Sequence, residues 1–197
     1  MSNTSAIPQR MRAARLYDLH DIRVEELDVP SVGEREVLVK TIACGICSGD
    51  VLPWYIRRKA PLIFGHEPVG VVARVGAQVR DVRVGDRVFA HHHAPCFRCR
   101  FCRRGHYSQC ATWRRSQIVP GGLAEYFLVP EENLADLLKL PDQLAWEDGV
   151  LIEPTACVVK SLRRAAVRAG EAVAVIGLGI MGPVSYTHLT LPTNREV

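Results

Sequence analysis

The sequence has no apolar run long enough to cross a membrane and no apolar segment near its start. The longest apolar stretch, residues 172–181, is short and glycine-rich, whereas a spanning helix needs about twenty residues. Residues 1–10 are polar and lack the hydrophobic region of a secretion signal. These absences argue against a spanning helix and a secreted protein. They predict a cytoplasmic chain whose cysteines are reduced and free to bind metal.

A strong excess of one charge is also missing. The 25 Lys and Arg residues oppose 21 Asp and Glu residues, for a net charge of +4, and much of that excess clusters between residues 98 and 115, around the cysteines. The 48% hydrophobic and 23% charged composition is that of an ordinary globular protein. Nucleic acid is therefore not the expected partner, although a zinc-ribbon module for nucleic acid or protein remains the alternative.

The first three quarters of the chain read as a strand-rich domain. Short β-branched runs recur, with turn signals between them, and they predict strands over residues 22–29, 37–42, 69–75, 79–88 and 123–130. This pattern predicts a mainly β, barrel-like domain over residues 11–150. Residues 1–10 are expected to form a flexible tail, and residues 95–120 a lobe folded around metal.

The pattern then changes, which predicts a domain boundary near residue 150. Helical periodicity runs over residues 146–169 and stops at Gly170. The apolar run 172–176 is typical of a buried parallel strand, and it leads into Gly177, Gly179 and Gly182. Residues 151–183 are therefore expected to be the start of an incomplete nucleotide-binding α/β domain.

Residues 184–197 do not fit that context. The threonines there are poor helix formers, and Pro192 would interrupt a helix. The string Val-Ser-Tyr-Thr-His-Leu-Thr-Leu-Pro-Thr is similar to a translated sequencing adaptor. We therefore expect these residues to be a read-through artefact, with a frameshift or a disordered natural terminus as the alternatives, and we expect the chain to be an inactive fragment of a longer protein.

Four cysteines predict a structural zinc site. Their spacing is C-x2-C-x2-C-x7-C, at Cys96, Cys99, Cys102 and Cys110, so the thiolates can converge on one tetrahedral ion. An iron–sulfur site with this start commonly has its fourth cysteine after three residues and then a proline, and neither occurs here. Four thiolates leave no open coordination position, so this zinc would stabilise the lobe and not act on substrate.

A second group combines sulfur, nitrogen and carboxylate ligands. Gly65-His66-Glu67 is preceded by Cys47 and Asp50, and Glu153 follows at the predicted domain boundary. One sulfur, one nitrogen and two carboxylates can meet at one ion. A histidine alone would more often bind nothing.

With these motifs in this order, the chain resembles the zinc-containing medium-chain alcohol dehydrogenases over residues 11–182. The motifs are Gly45-Ile46-Cys47-x-x-Asp50, Gly65-His66-Glu67-Pro68-x-Gly70, Val84-Gly85-Asp86-Arg87-Val88, the four cysteines, Ile152-Glu153-Pro154 and Gly177-x-Gly179-x-x-Gly182. The resemblance implies a GroES-like catalytic domain, and Glu153 makes polyol- and threonine-dehydrogenase-like members closer than the ethanol type. A zinc-free quinone reductase is disfavoured because both metal motifs are present.

The resemblance also implies the chemistry. Cys47, His66 and either Glu67 or Glu153 would hold a catalytic zinc, and hydride would pass from a secondary alcohol, polyol or 3-hydroxy amino acid to NAD or NADP. The partner is a small-molecule alcohol and neither nucleic acid nor a membrane, and the full-length enzyme is expected to be a homo-oligomer, a dimer or tetramer. Asp50 would orient the His66 ring, although its other interpretation is a helix-start residue.

One position departs from the family pattern. Its members usually place Thr or Ser two residues after the cysteine ligand, but this chain has Gly49 there, the hydroxyl at Ser48, and Leu52 in place of a relay histidine. Proton transfer is expected to use Ser48 or water.

Further predictions concern residues near these motifs. His91 and His92 are interpreted as a solvated turn, whereas His93 matches a substrate-facing position of the threonine-dehydrogenase-like members. Trp54 and Tyr55 are either pocket or core residues. The two remaining cysteines, at 44 and 157, are expected to be buried. Gly177, Gly179 and Gly182 would let the pyrophosphate of the cofactor approach.

Overall fold

A computed structural model describes residues 6–190. The strands are β1 (Arg10–Asp18), β2 (Asp21–Asp28), β3 (Val37–Gly45), β4 (Leu62–Ile63), β5 (Glu67–Val75), β6 (Arg87–Ala90), β7 (Tyr126–Val129) and β8 (Leu137–Lys139). The α-helices are α1 (Pro53–Lys59), α2 (Ala111–Arg115), α3 (Trp146–Gly149), α4 (Ile152–Ala165) and α5 (Met181–Thr190), and 3-10 turns span Ser48–Val51, Cys102–Arg104, Tyr107–Gln109 and Glu131–Asp136. The chain divides into two compact units, the first ending at Val150 and the second beginning at Leu151.

The first unit is built on two antiparallel sheets, in the orders β2-β1-β4 and β7-β3-β5-β6-β8. Strand β3 is covered on both faces, because successive side chains point to opposite sides of a strand. Val37 and Val39 pack with Phe127, while Leu38 between them packs with Met11. The predicted mainly β fold is confirmed.

The first strand of this unit starts slightly before the predicted boundary. The tail was expected to reach residue 10, but β1 begins at Arg10 and pairs with β2 along its length. The carbonyl of Gln9 also accepts a hydrogen bond from the amide of Val29 at 2.9 Å. The remainder of the predicted tail, residues 1–5, lies outside the described residues.

The strand predicted over residues 79–88 is confined to β6. The preceding segment turns instead, because Gly85 has a left-handed backbone with φ of 93° and the amide of Arg83 is bound by the Asp86 carboxylate. A β-branched composition therefore did not outweigh the turn chemistry of Gly85 and Asp86.

The second unit differs more from the sequence prediction. The helix predicted over residues 146–169 is two helices, α3 and α4, and α4 ends where Ala166 adopts a left-handed conformation. Residues 172–176 form no strand, and Ile176 is 97% exposed. A strand needs a neighbour for its backbone hydrogen bonds, and residues 151–190 contain none.

A helix follows the glycines although its threonines are poor helix formers, since α5 covers Met181–Thr190. Pro183 lies in its first turn, where a missing N–H costs nothing. The hydroxyls of Ser185 and Thr190 donate to backbone carbonyls one turn earlier. Pro192 and the rest of the predicted artefactual tail, residues 191–197, lie outside the described residues. Within residues 6–190 no helix has the length and apolar character to cross a membrane.

Candidate metal centres

The turn after β3 lies next to the start of β5 because of the strand register. Gly45, the last residue of β3, pairs with Glu67, the first residue of β5. A Cβ atom at residue 45 would lie only 2.0 Å from Oε2 of Glu67, so the missing side chain leaves room for the carboxylate. Gly65, with φ of 94°, lets the chain turn sharply just before His66. The register thus brings Cys47, His66 and Glu67 to one place.

These three side chains form the first candidate metal site. One ligand atom from each of Cys47, His66 and Glu67 lies within 4.8 Å of the others, and His66 Nε2 is 3.9 Å from Glu67 Oε1. Glu67 is buried, with 4% of its surface exposed. A sulfur, an imidazole nitrogen and a carboxylate fit zinc, and three protein ligands leave the fourth position of a tetrahedron open, as in catalytic sites. We call this group the catalytic triad of ligands.

Asp50 contacts two members of this triad. Cys47 caps the 3-10 turn Ser48–Val51, and its backbone amide donates to Asp50 Oδ2 at 3.3 Å. The same carboxylate oxygen is 3.7 Å from His66 Nδ1, which is the ring nitrogen that does not face Glu67. Asp50 is therefore at once a turn-capping residue and a neighbour of the metal-facing histidine. The two interpretations drawn from the sequence are compatible.

The hydroxyl at Ser48 is exposed on the first residue of this 3-10 turn. Its neighbour Gly49 donates its backbone amide to Cys47 Sγ at 3.3 Å, a contact that stabilises the thiolate form of a ligand. Trp54, at the start of α1, is 66% exposed, and Tyr55 is half-buried with its ring 5.8 Å from that of Trp54. Trp54 lies outside the core, whereas Tyr55 packs against the buried cluster of Leu16, Ile56 and Phe64.

Glu153 belongs to the second unit, where it lies in the first turn of α4. Its Oε1 accepts a hydrogen bond from the thiol of Cys157 at 3.2 Å. Cys157 is exposed, so the expectation that it is buried is wrong. Cys44, by contrast, is partly buried, and burial raises the pKa of its thiol to about 12.

The four-cysteine group is the second candidate metal site. Ligand atoms of Cys96, Cys99, Cys102 and Cys110 all lie within 4.8 Å of one another. Sγ of Cys102 is 3.5 Å from Sγ of Cys99 and 4.0 Å from Sγ of Cys96. Zinc–sulfur bonds of 2.3 Å in a tetrahedron place sulfur atoms about 3.8 Å apart. The observed separations bracket that value, so the four thiols fit a tetrahedral zinc.

The backbone of this lobe supports thiolates. The amide of Cys96 donates to Cys110 Sγ and that of Cys99 to Cys96 Sγ, both at 3.4 Å. Burial alone would raise the pKa of Cys110, but hydrogen bonds from the Cys96 and Trp113 amides lower it to about 5. Burial, with hydrogen bonds to the neighbouring thiols, raises the pKa of Cys102 to about 12. A thiol with so high a pKa is protonated at neutral pH, so binding of a metal at the four cysteines must release its proton.

The sequence interpretation missed the role of the histidines after β6. His91 and His92 are partly buried and do not form a solvated turn, because the side-chain amide of Asn133 holds both their backbone carbonyls. The His92 ring centroid is 5.0 Å from that of His66 and 4.0 Å from that of His93. Burial, together with the nearby histidines, lowers the pKa of His92 to about 2. The only sequence feature that could have indicated this burial is the run of three histidines directly after an apolar strand.

The glycine-rich segment of the second unit leads into α5, whose second residue is Gly182. Gly177 has a φ of 117°, and a Cβ at residue 182 would lie 1.9 Å from the Gly177 carbonyl oxygen. The amide of Gly182 donates to the Gly179 carbonyl at 3.0 Å. The first and third glycines are therefore required by the local backbone, and nucleotide binding by this segment stays a prediction.

Known proteins share this sequence and fold. The family described as the alcohol dehydrogenase GroES-like domain matches residues 33–142. A sorbitol dehydrogenase of Bombyx mori is 36% identical over 179 residues, which cover 86% of this chain and 50% of the relative. The chain thus spans about half the length of the curated relatives it matches.

Solved structures agree. A zinc-binding dehydrogenase of Sinorhizobium meliloti with NADP bound is 31% identical with a TM-score of 0.76, covering 90% of this chain and 52% of the other. For 2R,3R-butanediol dehydrogenase of Bacillus subtilis the identity is 31% and the TM-score 0.73, covering 91% of this chain and 54% of the other. Together with the two groups of side chains that could hold a metal, these matches show that the chain belongs to the zinc-containing medium-chain alcohol dehydrogenase family through its GroES-like domain.

Proposed function

We propose that this chain carries the catalytic domain of a zinc-dependent oxidoreductase that transfers hydride from an alcohol to NAD or NADP. The observation that carries this proposal is the convergence of Cys47, His66 and Glu67 on one point with a fourth position open. Zinc bound there would act as a Lewis acid towards an alcohol, and the nicotinamide would accept its hydride. A zinc-ribbon binding module would need the four cysteines but not this second group.

The residues of this chain have separate tasks in that reaction. Cys47, His66 and Glu67 hold the metal, Asp50 orients His66 and caps the turn that carries Cys47, and the four-cysteine group holds a structural zinc. Glu153 is the alternative carboxylate ligand. Loss of the metal in Glu67→Ala but not in Glu153→Ala would assign the third ligand to Glu67, and the reverse result would assign it to Glu153.

The substrate is a secondary alcohol, a polyol or a 3-hydroxy amino acid, and the names of the sorbitol and butanediol dehydrogenases favour a polyol. The reacting hydroxyl must lose a proton, and Ser48 or water is its acceptor. An unchanged rate and pH dependence in Ser48→Ala, made in the full-length enzyme, would remove Ser48 from this role. We place the enzyme in the cytoplasm as a homo-oligomer, with Gly177, Gly179 and Gly182 against the cofactor pyrophosphate.

Metal and cofactor binding test the proposal. The purified 197-residue chain is expected to hold two zinc ions, measured by elemental analysis after dialysis. It is expected to give no detectable NAD binding by calorimetry, because residues 151–190 form no sheet. A single zinc ion per chain would contradict the proposal that Cys47, His66 and Glu67 bind a metal. Tight NAD binding would contradict the idea that the cofactor domain is incomplete.

A further inference from the structure

His92 stands out within a row of imidazole rings that starts at the catalytic triad of ligands. The ring centroids run from His66 to His92 over 5.0 Å and from His92 to His93 over 4.0 Å. His93 Nδ1 is 2.5 Å from the carbonyl oxygen of Ser116, and His91 Nδ1 is 3.1 Å from Asp136 Oδ2. His92 Nδ1 is buried and has no hydrogen-bond partner among residues 6–190.

An unpaired imidazole at this place needs an explanation. A neutral imidazole carries one donor and one acceptor nitrogen, and leaving such a group buried without a partner costs about 1–3 kcal/mol. An apolar ring would fill the same space between His66 and His93 without that cost. A histidine here is accounted for if the missing partner is a ligand atom that is present only when the site is in use.

The ligand can be described from the position of the ring. The His92 ring centroid is 5.0 Å from that of His66, so a molecule whose reacting hydroxyl lies at the triad can place its adjacent carbon next to His92. A hydroxyl on that adjacent carbon both donates and accepts, as the neutral imidazole does. A simple alcohol has only carbon and hydrogen there and would leave His92 unpaired.

We propose that His92 is a specificity-determining residue that hydrogen-bonds the second hydroxyl of a vicinal diol. This inference rests on the proposed function, because it assumes that the first hydroxyl lies at Cys47, His66 and Glu67. It narrows the substrate from alcohols in general to 1,2-diols and polyols.

The test compares two alcohols that differ by one hydroxyl. Co²⁺ is placed at the triad of a chain that keeps zinc at the four cysteines, so that its visible absorption reports on the triad alone, and this chain is titrated with 2,3-butanediol and with 2-butanol. We expect the diol to bind about tenfold more tightly, the value of one neutral hydrogen bond. His92→Phe should abolish this preference and leave 2-butanol unaffected, whereas His92→Asn, which keeps a donor and an acceptor, should restore part of it. His91→Phe is the matched control and should keep the preference, since His91 has its own partner in Asp136.

Each result decides a different point. If both alcohols bind and His92→Phe retains the full diol preference, or if the unchanged chain shows none, the role of His92 is refuted while the proposed function stands. If neither alcohol changes the Co²⁺ absorption of the triad, the proposed function fails and the inference fails with it. Zinc retention at the four cysteines in every variant shows that the chain is folded.

Discussion

Replacing Gly45 with alanine is expected to remove the metal at the catalytic triad while the four-cysteine metal stays. Gly45 pairs with Glu67 across β3 and β5. A Cβ at residue 45 would lie 2.0 Å from Glu67 Oε2, although real Cβ atoms essentially never come closer than 3.0 Å to another heavy atom. The carboxylate oxygen must therefore move by at least the difference, 1.0 Å.

A shift of that size is large for a metal ligand. Ligand distances in zinc sites are held within about 0.2 Å of their usual values, so we expect coordination to be lost when Oε2 is pushed aside and Oε1, the oxygen that faces His66, moves with it. Losing an outer-shell partner already lowers metal affinity by about 10–100-fold. Because Gly45→Ala displaces a ligand itself, we expect a loss of at least about 100-fold.

Gly49 offers a matched control in the same turn. A Cβ at residue 49 would lie 3.6 Å from Cys47 Sγ, an ordinary contact, so Gly49→Ala should bind metal as the unchanged chain does. Elemental analysis after dialysis against a weak chelator should find one zinc in Gly45→Ala and two in Gly49→Ala. Two tightly held ions in Gly45→Ala would refute the assignment of Glu67 as a ligand, and the retained four-cysteine zinc reports that the variant is folded.

Three further outcomes follow from single contacts. Cys110→Ser should lose the four-cysteine zinc and the protection of the lobe amides in hydrogen exchange, whereas Cys157→Ser should keep both ions. Phe127→Ala should lower the free energy of unfolding by about 3–5 kcal/mol in urea titrations, since Phe127 is fully buried. Hydrogen bonds from the Arg12 amide and guanidinium lower the pKa of Glu125, so its carboxylate stabilises the fold above the unfolded pKa and loses this effect as pH falls through the lowered one. The difference in unfolding free energy between the unchanged chain and Glu125→Gln should therefore be about 1 kcal/mol or less at pH 7 and vanish in acid, and a difference that grew towards acid pH would contradict this.

The sequence predicts those features that depend on local pattern. Strands β3 and β5 follow from β-branched runs with clear turn signals, and the four cysteines are close enough along the chain for their spacing alone to bring them together. Cys47 and His66 are further apart, and it is the pairing of Gly45 with Glu67 that joins them. No periodicity encodes that pairing, so only the resemblance to known dehydrogenases placed them at one site.

What the sequence could not give depends on partners that are distant or lie elsewhere. The stretch 172–176 has the composition of a buried strand, but a strand forms only against another strand, and none is present in residues 151–190. The burial of His92 depends on Asn133, about forty residues later, which holds the histidine backbone. Neither the missing partner strand nor the contact with Asn133 can be predicted from the residues that surround 172–176 or His92.

Ser116 links the four-cysteine lobe to the catalytic triad. Its hydroxyl accepts a hydrogen bond from the amide of Ala94 at 2.8 Å and donates to the carbonyl of the same residue at 3.2 Å, while its own carbonyl oxygen lies 2.5 Å from His93 Nδ1. Residues 94 and 116 thus close the base of the lobe, and a metal bound by the cysteines between them would keep the lobe folded. The His92 ring contacts both the His93 ring, which Ser116 holds, and the His66 ring. A folded lobe therefore helps to position His66 through two adjacent rings. A zinc bound at the four cysteines would therefore stabilise the histidines next to the proposed substrate site as well as the lobe itself.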